Sequence, residues 1–386
     1  MYPLLSRRKV LAGVGAIAAL GVRHSIAQQT PEFILTNGKI STLDPARPEA
    51  SALIIRGGLI SSTGTDSEML ARKSQDAQVI DLGGRRVIPG LNDSHMHPIR
   101  AGRFYNAELR WDGVSNLERG LEMIAEQAKR TPEGQWVRVI GGWSPHQFAE
   151  KRLPTPEELT KASPDRPVFV LFLYSRGFLN KAGAEALKIT SAAKPPPGGR
   201  YEMTPDGGAI LWAEPSSAIL NMAMAKLPEL TEAQQVNSTR QFYRELNRFG
   251  LTSIIDAGGG GHAFPKNYVG SERLAEAGEM PIRVSYYLFP QKPKEELAEL
   301  RTFVQYAVNL NRAHRLEHGF VLEGAGEGIT FSAIDFENFS APLPDYQEPE
   351  LARGVDGGHA PASKTALAVA HSCDLWRVDQ QHPRCF

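Results

Sequence analysis

Residues 168–173, Val-Phe-Val-Leu-Phe-Leu, form an unbroken apolar run. A strand with one wet face alternates apolar and polar residues, so a run of this kind belongs to a strand covered on both faces. Covered strands are typical of parallel sheets flanked by helices. From Val87 onward the chain has the matching rhythm. Strand-like segments at 87–88, 136–140, 168–174, 251–255 and 282–288 alternate with segments of helical spacing at 116–130, 157–162, 232–249 and 294–309. That alternation predicts an α/β fold with a parallel sheet. Its closed form is the (β/α)8 TIM-type barrel, whose sites lie at the C-terminal ends of the strands. Five strands are clear and 320–322 begins a sixth. A barrel needs eight, so an incomplete barrel is expected over residues 87–350. The stretch 190–228, with three consecutive prolines and a Gly-Gly pair, reads as an insertion.

Residues 28–86 have a different pattern. Short strands at 33–35, 52–55, 59–60 and 79–80 are separated by Gly-rich turns, which predicts a small β-module. Asn37-Gly38 is a hairpin signal, because both residues tolerate positive φ.

The chemistry-bearing run is Val87-Ile88-Pro89-Gly90-Leu91-Asn92-Asp93-Ser94-His95-Met96-His97. In extended chain, residues i and i+2 point to one side. His95 and His97 can therefore aim both imidazoles at one point, as metal ligands do. Imidazole suits zinc and its first-row neighbours. A chance surface pair is the bland alternative.

Bulk composition narrows the partners. Lys plus Arg and Asp plus Glu number 43 each, for a formal net charge of zero. Nothing in that balance points to nucleic acid or an anionic surface. The two cysteines, Cys373 and Cys385, exclude a disulfide framework and make a thiolate metal site a poor expectation.

The block Asp81-Leu82-Gly83-Gly84-Arg85-Arg86 with the run that follows resembles the first barrel strand of the metal-dependent amidohydrolase superfamily. Asn37-Gly38-Lys39-Ile40, residues 52–60 and Thr63-Gly64 resemble its N-terminal module, half of a composite β-sandwich. Residues 136–143, Leu153-Pro154-Thr155, residues 163–170 and residues 250–258 resemble amidohydrolase family 3 in particular. The resemblance spans about residues 31–350. It implies metal-dependent hydrolysis of carbon–nitrogen bonds other than peptide bonds, in a small amide or cyclic amide. It also implies a divalent metal, zinc by preference, held by the His-x-His pair and later histidines. A lysine or acidic bridge and a late aspartate complete the family's pattern. Here Lys181 and Lys188 lie in a helical stretch and no lysine falls on 251–255. Glu323-Gly324-Ala325-Gly326-Glu327 and Asp335-Phe336-Glu337 stand where many members carry Lys and Asp-Gly, so a lysine bridge is in doubt.

Other residues carry paired readings. Asp256 ends a strand and is a candidate substrate or metal contact, or a structural hydrogen-bond acceptor for the Gly258–Gly261 loop. That Gly run lacks the phosphate-loop pattern. Trp143, with Trp111, is a candidate pocket wall or core. His146 is a pocket residue or a solvated loop histidine. His314 and His318 have i, i+4 spacing but charged neighbours, which suggests a solvated face.

The ends stand apart. Ser6-Arg7-Arg8-Lys9-Val10-Leu11, an apolar run at 12–22 and Ser25-Ile26-Ala27 read as a secretory signal of twin-arginine type over residues 1–27. The expectation is export to the periplasm or beyond, with the twin-arginine export machinery as partner and membrane contact only during export. An uncleaved anchor is the alternative. Residues 351–386 stop resembling the family. Codons for 366–382 can be chosen so that a one-base shift spells Arg-Trp-Pro-Leu-Arg-Thr-His-Ala-Thr-Tyr, so the tail is expected to be out of frame. Three functional readings follow: an exported amidohydrolase, a truncated and catalytically dead relative of one, and a periplasmic small-ligand binding protein.

Overall fold

The computed structural model describes residues 32–214, 217–258, 262–292, 295–309 and 318–326. Residues 1–27, His314, Glu327, Asp335 and 351–386 lie outside the described residues. The chain divides into two compact units, with the boundary between Pro89 and Gly90. Among the described residues no helix is long and apolar enough to cross a membrane.

The first unit contains β1 (Phe33–Thr36), β2 (Lys39–Ser41), β3 (Glu49–Ala50), β4 (Ala52–Arg56), β5 (Leu59–Gly64), α1 (Asp66–Leu70), β6 (Gln78–Asp81) and β7 (Arg86–Val87). Two sheets result, ordered β5-β4-β1-β6 and β3-β2-β7. Ile34, Ile54 and Met69 are buried between the first sheet and α1. Thr65 caps α1 and Glu68 returns a carboxylate to the Thr65 N–H, a reciprocal pair that satisfies two end-of-helix donors. The tight two-residue hairpin β4–β5 is turned by Gly57 (φ +57°) and Gly58 (φ +77°). Two consecutive positive φ angles match the twist of the flanking strands, and glycine takes them without cost to Cβ. Asn37 has the expected positive φ (+53°) but does not turn a hairpin. It leads from β1 in one sheet to β2 in the other.

The second unit begins with β8 (Leu91–Met96) and α2 (Pro98–Phe104). The histidine strand thus lies after Pro89-Gly90, whereas 87–88, expected as the first barrel strand, pairs within the first unit. Next come α3 (Leu117–Arg130), β9 (Val137–Val139), α4 (Pro156–Ala162), β10 (Val168–Phe172), β11 (Arg176–Leu179), α5 (Lys181–Ala186), β12 (Gly199–Met203), β13 (Ala209–Ala213) and α6 (Ala218–Ala225). Then follow α7 (Glu232–Arg248), β14 (Leu251–Asp256), α8 (Val269–Glu276), β15 (Arg283–Leu288), α9 (Glu296–Asn309) and β16 (Phe320–Ala325).

These strands build two sheets. One is parallel throughout, ordered β16-β15-β14-β8, with neighbours following chain order. Its core holds Ile99, Tyr243, Ile254, Tyr286 and Phe320. The other is mixed, ordered β12-β13-β11-β10-β9. Two of the expected barrel strands, 136–140 and 168–174, belong to this mixed sheet. β10 runs parallel to β9 but antiparallel to β11. The expected strand ends early because Leu173 turns with φ +48° and returns the chain as β11. The apolar run is still covered on both faces. Val168 and Val170 join one core cluster, and Phe169 and Leu171 join another. The insertion expected at 190–228 supplies β12 and β13 to that sheet, so the inserted module is larger than its proline-rich part.

Candidate functional site

His95 is the penultimate residue of β8 and His97 caps the N-terminus of α2. Pro98 follows at the first helical position, where its missing N–H costs nothing. Strand end and helix start therefore place the two imidazoles side by side. Their ring centroids are 5.8 Å apart, at 72° between planes. The His95 N–H donates to the Asp93 carboxylate at 2.9 Å, which fixes the strand end. His95 is exposed and His97 half-buried.

Asp256 closes β14, paired in register with Met96 of β8. Adjacent parallel strands thus bring its carboxylate next to His97, with Oδ1 3.9 Å from His97 Nδ1. The carboxylate is fully buried, and two backbone donors hold it. Gly258 N–H donates to Oδ1 at 3.0 Å and Ile99 N–H donates to Oδ2 at 3.4 Å. Asp256 therefore caps α2 from a neighbouring strand, where the helix's positive end favours a negative charge. The sequence left it as a metal or substrate contact or as a hydrogen-bond acceptor for the glycine loop, and in the structure it is 0% exposed and accepts from the Gly258 N–H.

The turn that lets Asp256 do this is tight. Gly258 has φ +73°, and a Cβ there would lie 2.6 Å from Gly326 Cα and 3.0 Å from the Tyr287 carbonyl oxygen. Only glycine fits where the ends of β14 and β16 meet.

One residue of the site was missed in the sequence. His262 is 2% exposed, and its Nε2 lies 4.0 Å from Asp256 Oδ2. The same nitrogen is 3.1 Å from the Tyr268 hydroxyl oxygen. Burial pushes the imidazole down to about 4, against the pull of Asp256. His262 is thus neutral at physiological pH. Its Nδ1 is buried with no hydrogen-bond partner among the described residues. The available signal was its place six residues after a strand-ending Asp, just past the Gly run.

Trp143 is not part of this group. Its indole N–H donates to the Leu171 carbonyl at 3.1 Å, and its ring packs against Trp111, Phe148 and Phe172. Those contacts are packing within the mixed-sheet module, the arrangement that the core reading of Trp143 describes. His146 is exposed, in a short 3-10 turn.

A cavity of about 320 Å³ adjoins His262. It is lined by Arg100, Arg103, Glu108, Arg138, Glu229 and Lys266, with apolar contributions from Phe104, Ile140, Met224 and Leu227. Desolvation pushes the Glu108 carboxyl up to about 7, against the pull of Arg110, Arg100 and Arg138.

For a divalent metal, the candidate donors are the two imidazoles of His95 and His97. Among the described residues no group of three or more His, Cys, Asp or Glu side chains is placed to hold an ion. A catalytic zinc takes three protein ligands. The pair therefore fits part of such a set.

Comparison with known proteins supplies the context. The model of the amidohydrolase family, family 3, matches residues 78–368. An N-substituted formamide deformylase of Arthrobacter pascens is 28% identical over 264 residues, covering 66% of this chain and 47% of that protein. The protein LONG AFTER FAR-RED 3 of Arabidopsis thaliana is 28% identical over 234 residues, covering 59% of this chain and 38% of that one. A solved structure of an uncharacterized metal-dependent hydrolase from Pyrococcus horikoshii OT3 is 21% identical, with a TM-score of 0.49, and covers 71% of this chain and 51% of that one. The chain spans about half the length of these relatives or less.

Proposed function

This chain belongs to the amidohydrolase family, and on that premise we propose that it is a metal-dependent hydrolase of carbon–nitrogen bonds other than peptide bonds, acting on a small amide or cyclic amide. The observation that carries this reading is the placement of His95 and His97 at the C-terminal end of a parallel strand, beside the buried Asp256. Sites in TIM-type folds collect at such ends, and the chain-order parallel sheet is our reason for reading it as four strands of a barrel of that type.

His95 and His97 would hold the divalent ion, zinc by preference for two imidazoles. Such an ion polarises a substrate carbonyl and makes water a better nucleophile. The chain's own residues do the positioning. A carboxylate near Nδ1 of His97 favours the tautomer with hydrogen on that nitrogen and leaves Nε2 free to ligate. The distance of 3.9 Å is longer than a hydrogen bond, so Asp256 acts on the ring through its field. Neutral His262 with Tyr268 closes the far side of Asp256 without adding a competing cation.

The test is metal content by plasma emission and turnover on a panel of small amides and cyclic amides, for the protein supplied with zinc. Metal-dependent turnover should appear, and His95→Ala combined with His97→Ala should remove both. Tight ligand binding without turnover in the metal-loaded protein would favour a binding protein instead. We also propose export through the N-terminal segment, on the strength of its paired arginines and the small residues Ser25 and Ala27. Mass spectrometry of periplasmic protein should then find Gln28 at the N-terminus, and an intact Met1 on membrane-bound protein would reject cleavage.

A further inference from the structure

The cavity beside His262 holds more positive than negative charge. Four cations line it, Arg100, Arg103, Arg138 and Lys266, against the carboxylates of Glu108 and Glu229. Glu229 is already engaged, by Arg103 at 3.2 Å and by Lys266 at 2.7 Å. The other guanidiniums rest on neutral acceptors. Arg100 donates to the Tyr174 hydroxyl at 2.9 Å and to Met224 Sδ at 3.6 Å. Arg138 donates to the Pro228 carbonyl. Among the described residues neither has a carboxylate within ion-pair distance. Arg103 Nε is buried with no acceptor among them.

Such an arrangement is costly when empty. Arg138 is 2% exposed, and the nearby Glu108, itself buried, offsets only part of the desolvation penalty that a buried cation pays. An oxyanion bound among these groups offsets that penalty. Guanidinium forks match carboxylate and phosphate oxygens two at a time. The volume suits one small ligand. The cavity also touches the candidate site, because His262 belongs to both: it lines the cavity and lies 4.0 Å from Asp256.

We propose that this cavity binds a terminal oxyanion of the substrate, so that the amide hydrolysed at His95 and His97 is an acidic one carrying a carboxylate or phosphate at its far end. Assigning the anion to the substrate rests on the amidohydrolase reading of the site. The binding site itself does not.

Isothermal titration calorimetry of the full chain tests it, with glutarate, inorganic phosphate and the neutral diamide glutaramide as probes and no metal added. At least one anion should bind, and the tighter of the two names the group. Glutaramide should not bind. Arg100→Gln and Arg103→Gln should each weaken the anion on the order of tenfold, the loss of one charged hydrogen bond. Arg119→Gln on the exposed face of α3 removes the same charge elsewhere and should change nothing. Circular dichroism and thermal melts check that each variant folds. Arg100, only part-buried, keeps the test open if Arg103→Gln fails to fold. No anion binding, equal binding of glutaramide, or equal weakening by Arg119→Gln each overturns the proposal. Hydrolysis of neutral amides by a protein that binds neither anion sinks this inference and leaves the proposed function standing. Anion binding without any amide turnover does the reverse.

Discussion

The two sheets of the second unit treat burial in opposite ways. β10, inside the mixed sheet, buries four of its five residues and has apolar clusters on both faces. β8, at one edge of the parallel sheet, buries none of its six, and Leu91 is 48% exposed. The apolar strand holds structure, and the polar strand carries the residues proposed for the chemistry. Imidazoles that hold an ion must reach it, so the strand proposed to present them cannot be an oily one. Hydrophobicity reports where a strand is covered. It does not report which sheet the strand joins.

The largest test of this contrast replaces one side chain on each side of it. Phe169→Ala empties a fully buried aromatic site in the mixed sheet and should cost about 3–5 kcal/mol of unfolding free energy. His95→Ala with His97→Ala should cost under about 1 kcal/mol, as expected for exposed or half-buried residues outside a core. Urea denaturation at neutral pH, without added metal, measures both. A histidine pair as costly as Phe169 would show that β8 is structural after all.

A second effect of similar size lies between the sheets, at Glu108. Its folded value of about 7 stands above the ordinary 4.5, and its side chain is only 10% exposed. The folded state therefore binds more protons than the unfolded state between those two values. Stability falls as pH rises from about 4.5 to about 7, and the loss totals about 3 kcal/mol. Glu108→Gln should remove that fall and be the more stable protein at pH 8. His262, depressed to about 4, slopes the other way, with stability lost as pH falls below its ordinary 6.5. It is common to both proteins and cancels in their difference. Identical pH profiles would mean that Arg110, Arg100 and Arg138 hold Glu108 ionised.

These cases show which parts of the molecule were readable. The helices α3, α4, α7 and α9 were legible because their signals are local, whereas α1, α2, α6 and α8 were not read. Asn116 and Thr231 cap α3 and α7 where the apolar spacing begins. The side-by-side placement of the His95 and His97 rings was legible because a period of two needs no tertiary information. Sheet membership was not. Val168 to Leu173 reads the same in a parallel barrel and in a mixed sheet, and only the left-handed turn at Leu173 separates them. That is an uncommon conformation for leucine, which no pattern of apolar residues announces. His262 and the cavity arginines were hidden for a related reason. Their roles come from burial, and burial of polar residues is decided by partners far along the chain. His262 meets Asp256 only across a loop, and Arg138 meets Arg100 only across a helix and a strand.

The strand ends give a smaller test. Gly258→Ala places a Cβ against backbone on two sides, at a φ that L-residues rarely adopt. Backbone cannot move aside as a flexible side chain would. The expected cost is about 2–3 kcal/mol, read from urea denaturation. Zinc affinity should fall with it, since Gly258 N–H holds the Asp256 carboxylate in place. A variant as stable as the parent would mean that β14 and β16 do not approach as closely as described.

The smallest effect concerns Trp143, and it asks whether the two regions are functionally separate. Trp143→Phe keeps an aromatic ring among Trp111, Phe148 and Phe172 but removes the indole N–H from the Leu171 carbonyl. One hydrogen bond in a part-buried setting is worth about 1 kcal/mol. Some packing volume is lost as well, yet the ring can settle into the space that remains. Unfolding free energy should therefore fall by about that much, while KM, kcat and zinc affinity stay unchanged. All of the described contacts of Trp143 lie inside the mixed-sheet module, so a substrate at His95 and His97 has no reason to sense the change. A rise in KM without loss of stability would place the indole against substrate. The mixed-sheet module would then be a wall of the active site rather than a support beside it.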